Sequence, residues 1–318
     1  MSILLPWEVS KIEKHIFMEG LKKYDPVIIE TTELSNIPKN LLPNVEILVA
    51  GLANKEIIQE CPNLKYIQSM ISAASHVDQT AAQQRNILFA TTKGSNAFSV
   101  MEQVYFLMLS CAKNSKKYVS DVENNIWEKV WHDNLAGRNL GVIGIGEIGS
   151  RVCYMGKAFG MNVSGIRRRT ILGDKGLELD FFGGPDDLTR VLAWADYTVL
   201  SVPKVQDTLS LLGSQELQKM KNGSYLINVS RGPVVDENAI FDAIQTGRLK
   251  GYGTDVFVKE PNSFKEPLFN HRNVFCTPHV GANSIDSKIA CMEKVVNNIH
   301  KYYRGEKIDN IVDYELGY

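Results

Sequence analysis

The sequence predicts an α/β protein of two domains, and three observations carry that reading. Short aliphatic or β-branched runs alternate with longer amphipathic stretches along nearly the whole chain, the rhythm of parallel sheets joined by helical crossovers. A G-x-G-x-x-G pattern stands between one such run and a helical period. The length, 318 residues, amounts to about two domains of about 150 residues each. Hydrophobic residues make up 44% and charged residues 22%, with 35 basic side chains against 36 acidic ones. That balance is ordinary for a globular protein and gives no electrostatic support to a nucleic-acid or membrane-surface partner.

The elements follow in order. Strands are expected at 26–30, 45–50, 64–70 and 87–90, with a helix over 8–24, and together these make a small α/β unit. Asn96 is a candidate cap for a long helix at 96–116 that connects the two domains. Within it Phe98, Met101, Val104, Tyr105, Met108 and Leu109 share one face or an adjacent one. The stretch 117–137 carries Trp127 and Trp131 among charged residues and breaks the rhythm, so it reads as an arm or loop packed elsewhere. Strands resume at 139–143, 162–166, 197–202, 225–229, 251–256 and 274–276. Helices are expected between them at 148–159, 186–195, 215–220 and 237–246, the last closed by Gly247. Six strands with interleaved helices make one doubly wound domain, and a helix at 283–304 closes the chain.

Other classes fall away on the same page. The start has only Ile3, Leu4 and Leu5 before Pro6, too little for the apolar core of a secretory leader, and no run approaches the 18 apolar residues of a membrane helix. Cys61, Cys111, Cys153, Cys276 and Cys291 are odd in number and lack any C-x-x-C pair, which fits reduced thiols packed in a core. A cytoplasmic protein is expected. His15, His132, His271 and His300 show no ligand spacing, and no metal site is indicated.

The glycine pattern lies in Leu-Gly-Val-Ile-Gly-Ile-Gly-Glu-Ile-Gly at 140–149. Each glycine answers a separate demand: Gly144 a tight turn, Gly146 approach of the backbone to a pyrophosphate, and Gly149 close packing of helix on strand. The amides that open the helix, at Glu147 and Ile148, then meet phosphate charge. A Rossmann-type dinucleotide site is expected. Its second strand normally ends in an acid that binds the adenosine ribose, but eighteen places past Gly149 stands Arg167, followed by Arg168 and Arg169. Guanidinium groups hold a 2′-phosphate where an acid would repel it, so NADP(H) is expected over NAD(H). A solvated basic turn, with NAD(H) as the cofactor, is the alternative.

Three further segments read as strand ends: Asn-Val-Ser-Arg-Gly-Pro at 228–233, Asp-Val-Phe-Val-Lys-Glu-Pro at 255–261, and Cys-Thr-Pro-His-Val-Gly-Ala at 276–282. The carboxyl ends of strands in a doubly wound sheet face the ligand crevice, so an arginine, an acid and a histidine converge there. With the glycine loop, these segments resemble the D-isomer-specific 2-hydroxyacid dehydrogenase family, which includes glyoxylate and hydroxypyruvate reductases. The resemblance covers most of the chain and extends to Ile-Ser-Ala-Ala-Ser-His-Val-Asp at 71–78, Val-Met-Glu-Gln at 100–103 and Gly-Arg-Leu-Lys-Gly at 247–251.

The resemblance implies an acid–base pair of Glu260 and His279 with Arg231 as substrate anchor, and the physics of each side chain agrees. Imidazole titrates near neutrality, a carboxylate beside it favours the charged ring, and a guanidinium offers a fork of donors to a carboxylate and a polarised carbonyl. By the same resemblance, the loop of Ile71, Ser72, Ala73 and Ala74 holds the substrate carboxylate, with His76 and Asp78 tying that loop down. Asp255 contacts the nicotinamide amide or, as its rival reading, caps a strand end. Val202, Pro203 and Ser230 are further candidates to line the cofactor.

Departures from the family pattern carry information too. Ala73 and Ala74 stand where glycine is frequent, which narrows the pocket or alters the amide geometry. Gly253 and Thr254 replace aliphatic residues, which changes packing beside the cofactor. Glu260 argues against a formate dehydrogenase, whose histidine pairs with glutamine, and the chain stops without the regulatory domain of many phosphoglycerate dehydrogenases.

The expected architecture is discontinuous: a flavodoxin-like substrate domain of residues 1–95 with 283–318, and a nucleotide domain of 96–282, with a closing cleft between them as the active site. The resemblance implies a homodimer, with the Trp127 and Trp131 arm at its interface. The expected reaction is NADP(H)-dependent reduction of a small 2-keto acid, such as glyoxylate or hydroxypyruvate, to the D-2-hydroxy acid. Two alternatives stay open: an NAD(P)H-sensing protein like the corepressors that share this fold, and a dehydrogenase for an unusual acid such as a phosphonate.

Overall fold

In the computed structural model, which describes residues 2–31, 33–174, 176–315 and 317, the strands form two sheets and every pairing in them is parallel. Residues 1–96 with 283–318 form one unit and 97–282 the other.

The first unit begins with β1 (Ser2–Pro6), where the sequence reading expects no strand. Its Ile3, Leu4 and Leu5 are completely buried, so β1 shows none of the polar alternation that marks a half-exposed strand. α1 (Lys11–Leu21) follows, shorter than expected because Ser10 and Glu13 form a reciprocal capping box at its start. β2 (Val27–Ile29), β3 (Val45–Ala50), α2 (Lys55–Glu60), β4 (Tyr66–Ser69), α3 (Gln79–Gln84) and β5 (Leu88–Ala90) complete this part. The strand order β2-β1-β3-β4-β5 is the flavodoxin-like one.

The second unit opens with α4 (Ala97–Lys113), and Asn114, in the left-handed region at φ 56°, separates it from α5 (Ser115–Glu123). The expected loop at 117–137 is therefore helical in its first part. Lys117 pairs there with Asp121 one turn on and with Glu128, a charge pattern that hides the helical period. The sheet strands and their crossovers are β6 (Asn139–Ile143), α6 (Glu147–Ala158), β7 (Asn162–Ile166), β8 (Phe181–Gly183), α7 (Leu188–Trp194), β9 (Tyr197–Leu200), α8 (Ser214–Lys219), β10 (Ser224–Asn228), α9 (Glu237–Gln245), β11 (Leu249–Thr254), α10 (Pro267–Asn270) and β12 (Val274–Cys276). β8 is an addition to the expected set, an edge strand of three residues, too short to show a period.

The order β12-β11-β10-β9-β6-β7-β8 reverses direction between β6 and β9, the switch point at which doubly wound sheets bind their ligands. Both faces of the sheet are apolar: Leu200, Leu226, Ile240 and Val274 belong to one buried cluster, and Val104, Met108, Val142, Val199 and Ile227 to another. Gly253 lets α4 pack hard on β11, since a Cβ there would lie 3.1 Å from Leu107 Cβ and 3.3 Å from Cys111 Sγ. The glycine that departs from the family pattern thus exchanges a side chain of the strand for a closer helix.

The chain returns to the first unit with α11 (Ile285–Arg304), capped by Ser284 and ended by Gly305 at φ 68°. Met292, Val295 and Ile299 face the core. The fully buried Asn298 donates to Gln68 Oε1 at 2.9 Å and to Asp309 O at 3.1 Å, so its amide is satisfied. Among the described residues, no helix is long and apolar enough to cross a membrane.

Candidate active site at the carboxyl ends of the strands

The glycine loop between β6 and α6 occupies the switch point. Gly144 has φ 104°, and a Cβ there would lie 2.4 Å from Ser201 O. Gly149, inside α6, abuts Gly144 O so closely that a Cβ would lie 2.1 Å from it. Around Gly146, by contrast, a Cβ would meet nothing within 4 Å. That opening stands over the start of α6, whose N-cap is Gly146 itself and receives no side-chain cap. A phosphate group fits such a cradle of open backbone and helix amides, of which Glu147 and Ile148 are the first two.

The next strand ends against this loop. Ile166 O accepts from the amides of Gly144 at 2.9 Å and Ile145 at 3.1 Å, so Arg167 begins directly beside the glycines. Arg167 is half-buried and donates from Nη1 to Gly173 O at 3.2 Å, while Arg168 and Arg169 are exposed. Arg168 makes an ion pair with Asp207, which lies beyond β9. Val202 N donates to Ser230 Oγ at 3.1 Å, tying the ends of β9 and β10 together, and Pro203 O accepts from Thr208 Oγ1 at 2.6 Å.

Three strand-end loops carry the other candidates. After β10, the buried Asn228 shapes the turn: its Oδ1 accepts from Ser230 N at 3.0 Å and its Nδ2 donates to Arg231 O at 3.2 Å. Arg231 is half-buried and spends one group on Ser230 O at 2.7 Å; its other N–H groups have no protein acceptor among the described residues. Burial lowers its proton affinity from the ordinary value, and the nearby Glu260 carboxylate opposes that effect. After β11, Glu260 Oε1 accepts from Phe257 N at 2.9 Å, and Glu237 Oε1 accepts from Val258 N at 2.9 Å. Gly232 makes this possible, because a Cβ there would fall 1.9 Å from the Phe257 carbonyl carbon.

After β12, His279 Nδ1 meets Glu260 Oε2 at 2.7 Å. An ionised carboxylate only accepts, so Nδ1 carries the proton of that bond and Nε2 is left for a ligand. The ring is 41% exposed, so solvent reaches it. Asp255 is 4% exposed and both its oxygens accept from the histidine loop: Oδ1 from Thr277 Oγ1 at 2.6 Å and Val280 N at 3.0 Å, Oδ2 from Gly281 N at 2.8 Å. Contacts of this kind are those the capping reading of Asp255 calls for.

The loop at 71–74 belongs to the other unit. Ile71 N donates to Ser69 Oγ at 3.0 Å, and Ser72 Oγ lies 3.4 Å from each of two acceptors for its one proton, Thr92 O and Asn96 Oδ1. Among the described residues, the amides of Ser72, Ala73 and Ala74 donate to no protein acceptor. Ala73 has an ordinary negative φ, so its methyl group brings no backbone strain. Asp78 caps α3 through Ala81 N at 2.9 Å, and His76 O accepts from Ala53 N at 3.1 Å, which fastens the end of the loop.

Asn228, Gly232, Thr277 and Glu237 are absent from the sequence-derived set. Asn228 and Gly232 flank Arg231 within the same motif, and an amide followed by Gly-Pro at a strand end is a signal of a shaped turn. Nothing in the sequence brings Glu237 to Val258.

Residues 105–281 match the description of the D-isomer specific 2-hydroxyacid dehydrogenase, NAD binding domain. The chain belongs to that family. This dehydrogenase is an oxidoreductase that uses NAD(P). It is 28% identical to a glyoxylate reductase of Korarchaeum cryptofilum over 321 residues, 97% of this chain and 93% of that one. A D-3-phosphoglycerate dehydrogenase of Methanocaldococcus jannaschii is 30% identical over 86% of this chain, which spans only 52% of that protein. The solved D-lactate dehydrogenase of Aquifex aeolicus, complexed with NAD and lactic acid, superposes with a TM-score of 0.80 at 27% identity, covering 98% of this chain and 99% of that one.

Proposed function

We propose that this dehydrogenase reduces a small 2-keto acid of the glyoxylate or hydroxypyruvate type to the D-2-hydroxy acid with NADP(H), using His279 as proton donor and Arg231 as substrate anchor. One observation carries the reading: the His279–Glu260 pair at 2.7 Å joins the loops after β12 and β11, and β11 is the sheet neighbour of β10, whose following loop carries Arg231. The nicotinamide supplies the hydride chemistry when bound.

The chain's own side chains do the rest. Glu260, held by Phe257 N, accepts from Nδ1 and presents the proton of Nε2 to the substrate oxygen. Negative charge that builds on this oxygen faces the free donors of Arg231, a charged group that burial leaves poorly solvated. The unpaired amides of Ser72, Ala73 and Ala74 suit the substrate carboxylate.

Gly144, Gly146, Glu147, Ile148 and Gly149 would hold the pyrophosphate, with Val202, Pro203 and Ser230 lining the cofactor beyond it. Asp255 contributes by shaping the 277–281 loop. The NADP(H) preference rests on Arg167, Arg168 and Arg169 at the end of β7 with no acid there. The relative named glyoxylate reductase supports the substrate class. A homodimer built on the arm agrees with fully exposed Trp127 and Trp131, and unpaired thiols at all five cysteines agree with a cytoplasmic setting.

The test is oxidation of NADPH and of NADH, side by side, with glyoxylate, hydroxypyruvate, pyruvate, phenylpyruvate and branched 2-keto acids. Turnover of a small acid with NADPH preferred is expected. Silence across the panel while NADPH still binds would overturn the substrate class and favour a sensor or an unusual acid.

A further inference from the structure

Ser99 and Gln103 lie one turn apart on α4, and both reach the loop that carries His279. Ser99 Oγ donates to Gly281 O at 2.6 Å, and Gln103 Nε2 donates to Thr277 Oγ1 at 2.7 Å. Thr277 Oγ1 thus accepts from Gln103 and gives its one proton to Asp255 Oδ1 at 2.6 Å. The same carboxylate takes the amides of Val280 and Gly281. The loop is thereby gripped on both sides of His279.

The grip has something to hold. His279 has φ 52°, a left-handed conformation that residues other than glycine keep only where the surroundings impose it. The fit is close, since a Cβ on Gly281 would lie 2.8 Å from Asp255 Oδ2 and 3.1 Å from Gln103 Cγ. The groups facing the loop are thus one helix face and two carboxylates, Asp255 on its backbone and Thr277, and Glu260 on the His279 ring.

We propose that Gln103 and Ser99 are positioning residues that keep His279 aligned with Glu260, acting through Thr277 and Asp255 and touching neither the imidazole nor the substrate. The proposal rests on His279 being the proton donor. Gln103→Met keeps the length of the side chain and removes the donor, which leaves the Thr277 hydroxyl held from one side only, by Asp255. A small displacement of an acid–base group is costly in rate, so kcat should fall about 10- to 100-fold. KM and the affinity for NADPH should stay within about twofold, because neither residue reaches a ligand.

The experiment compares Gln103→Met, Ser99→Ala, Thr277→Val, Thr277→Ser and His279→Ala in the full-length protein. It measures kcat and KM with whichever of glyoxylate and hydroxypyruvate turns over, and amide hydrogen exchange in the protein alone. Exchange at Val280 and Gly281 should quicken about tenfold in Gln103→Met and Thr277→Val. Thr277→Ser should recover most of the rate lost in Thr277→Val. If Gln103→Met does not fold, the two Thr277 variants and Ser99→Ala carry the comparison. Wild-type kcat and unchanged exchange in Gln103→Met, beside an inactive His279→Ala, would overturn this proposal alone. So would a Thr277→Ser enzyme as slow as Thr277→Val. Wild-type turnover in His279→Ala would overturn the proton-donor reading and this proposal with it.

Discussion

The loops at one end of the larger sheet are built on two opposite plans. The glycine loop after β6 works through missing side chains: Gly144 and Gly149 let backbone touch backbone, and Gly146 leaves a space open. The loops after β11 and β12 work through side chains that bind loop backbone, with Glu260 on Phe257, Asp255 on Val280 and Gly281, and Glu237 reaching Val258 from α9. A phosphate needs amides within reach, which backbone alone supplies, whereas a proton donor needs one ring held in one orientation. The arginines after β7 follow neither plan, being half-buried or exposed at the edge of the loop region.

The contrast can be broken most sharply on the side-chain side. His279→Ala should lower kcat by about a thousandfold, within the range of general acid–base catalysis, and leave NADPH binding within about twofold; steady-state kinetics and a fluorescence titration check both halves. On the backbone side the glycines should separate stability from binding. Gly149→Ala forces its methyl group into Gly144 O and should cost more than about 3 kcal/mol or prevent folding. Gly146→Ala should unfold in urea like the wild type, yet bind NADPH about tenfold more weakly.

Smaller effects test the arginines. Arg167→Asp should lower the ratio of NADPH to NADH efficiency by about tenfold or more, the value of a charged hydrogen bond of about 1.5–3 kcal/mol; an unchanged ratio would remove Arg167 from cofactor choice. Asp207→Asn releases Arg168 from its ion pair and should tighten NADPH, but not NADH, by about two- to threefold, an effect that 0.5 M salt erases.

The smallest effect concerns an anchor. Burial raises the proton affinity of Glu237 above its ordinary value of 4.5, with the hydrogen bond from Val258 opposing. A carboxyl whose folded-state value is raised binds its proton more tightly when folded, so its contribution to stability falls as pH rises through and above that ordinary value. Glu237→Gln keeps an acceptor for Val258 N and should raise Tm at pH 7 while leaving it unchanged at pH 4.

Much of the fold was legible because burial and period leave marks in a sequence. Apart from the four-residue α10, the helices of the larger unit read out from 139 onward, as did most of its aliphatic strands, since each crossover helix must turn one apolar stripe to the sheet. β1 and β8 did not read out, the first because it is apolar on both faces and the second because three residues carry no period. α5 was hidden by its charges. Around the site, the types and order of Arg231, Glu260 and His279 stand in the sequence, but Asp255 could be read two ways because a carboxylate suits an amide of a ligand as well as an amide of the chain.

By itself the sequence determined the α/β class, the glycine loop at a strand-to-helix turn, and the chemistry available at each strand end. These depend on neighbours in the chain, where spacing and residue type act directly. Only the tertiary structure decided which distant groups meet: Asp207 with Arg168, Glu237 with Val258, and Ser99 and Gln103 with the histidine loop. Such pairs lie from about twenty to about 180 positions apart, and a hydrogen bond at 2.6 Å requires that the packing of helix on sheet already be right. No local pattern records that geometry, because the energy of a contact made across the fold depends on the whole core between its partners.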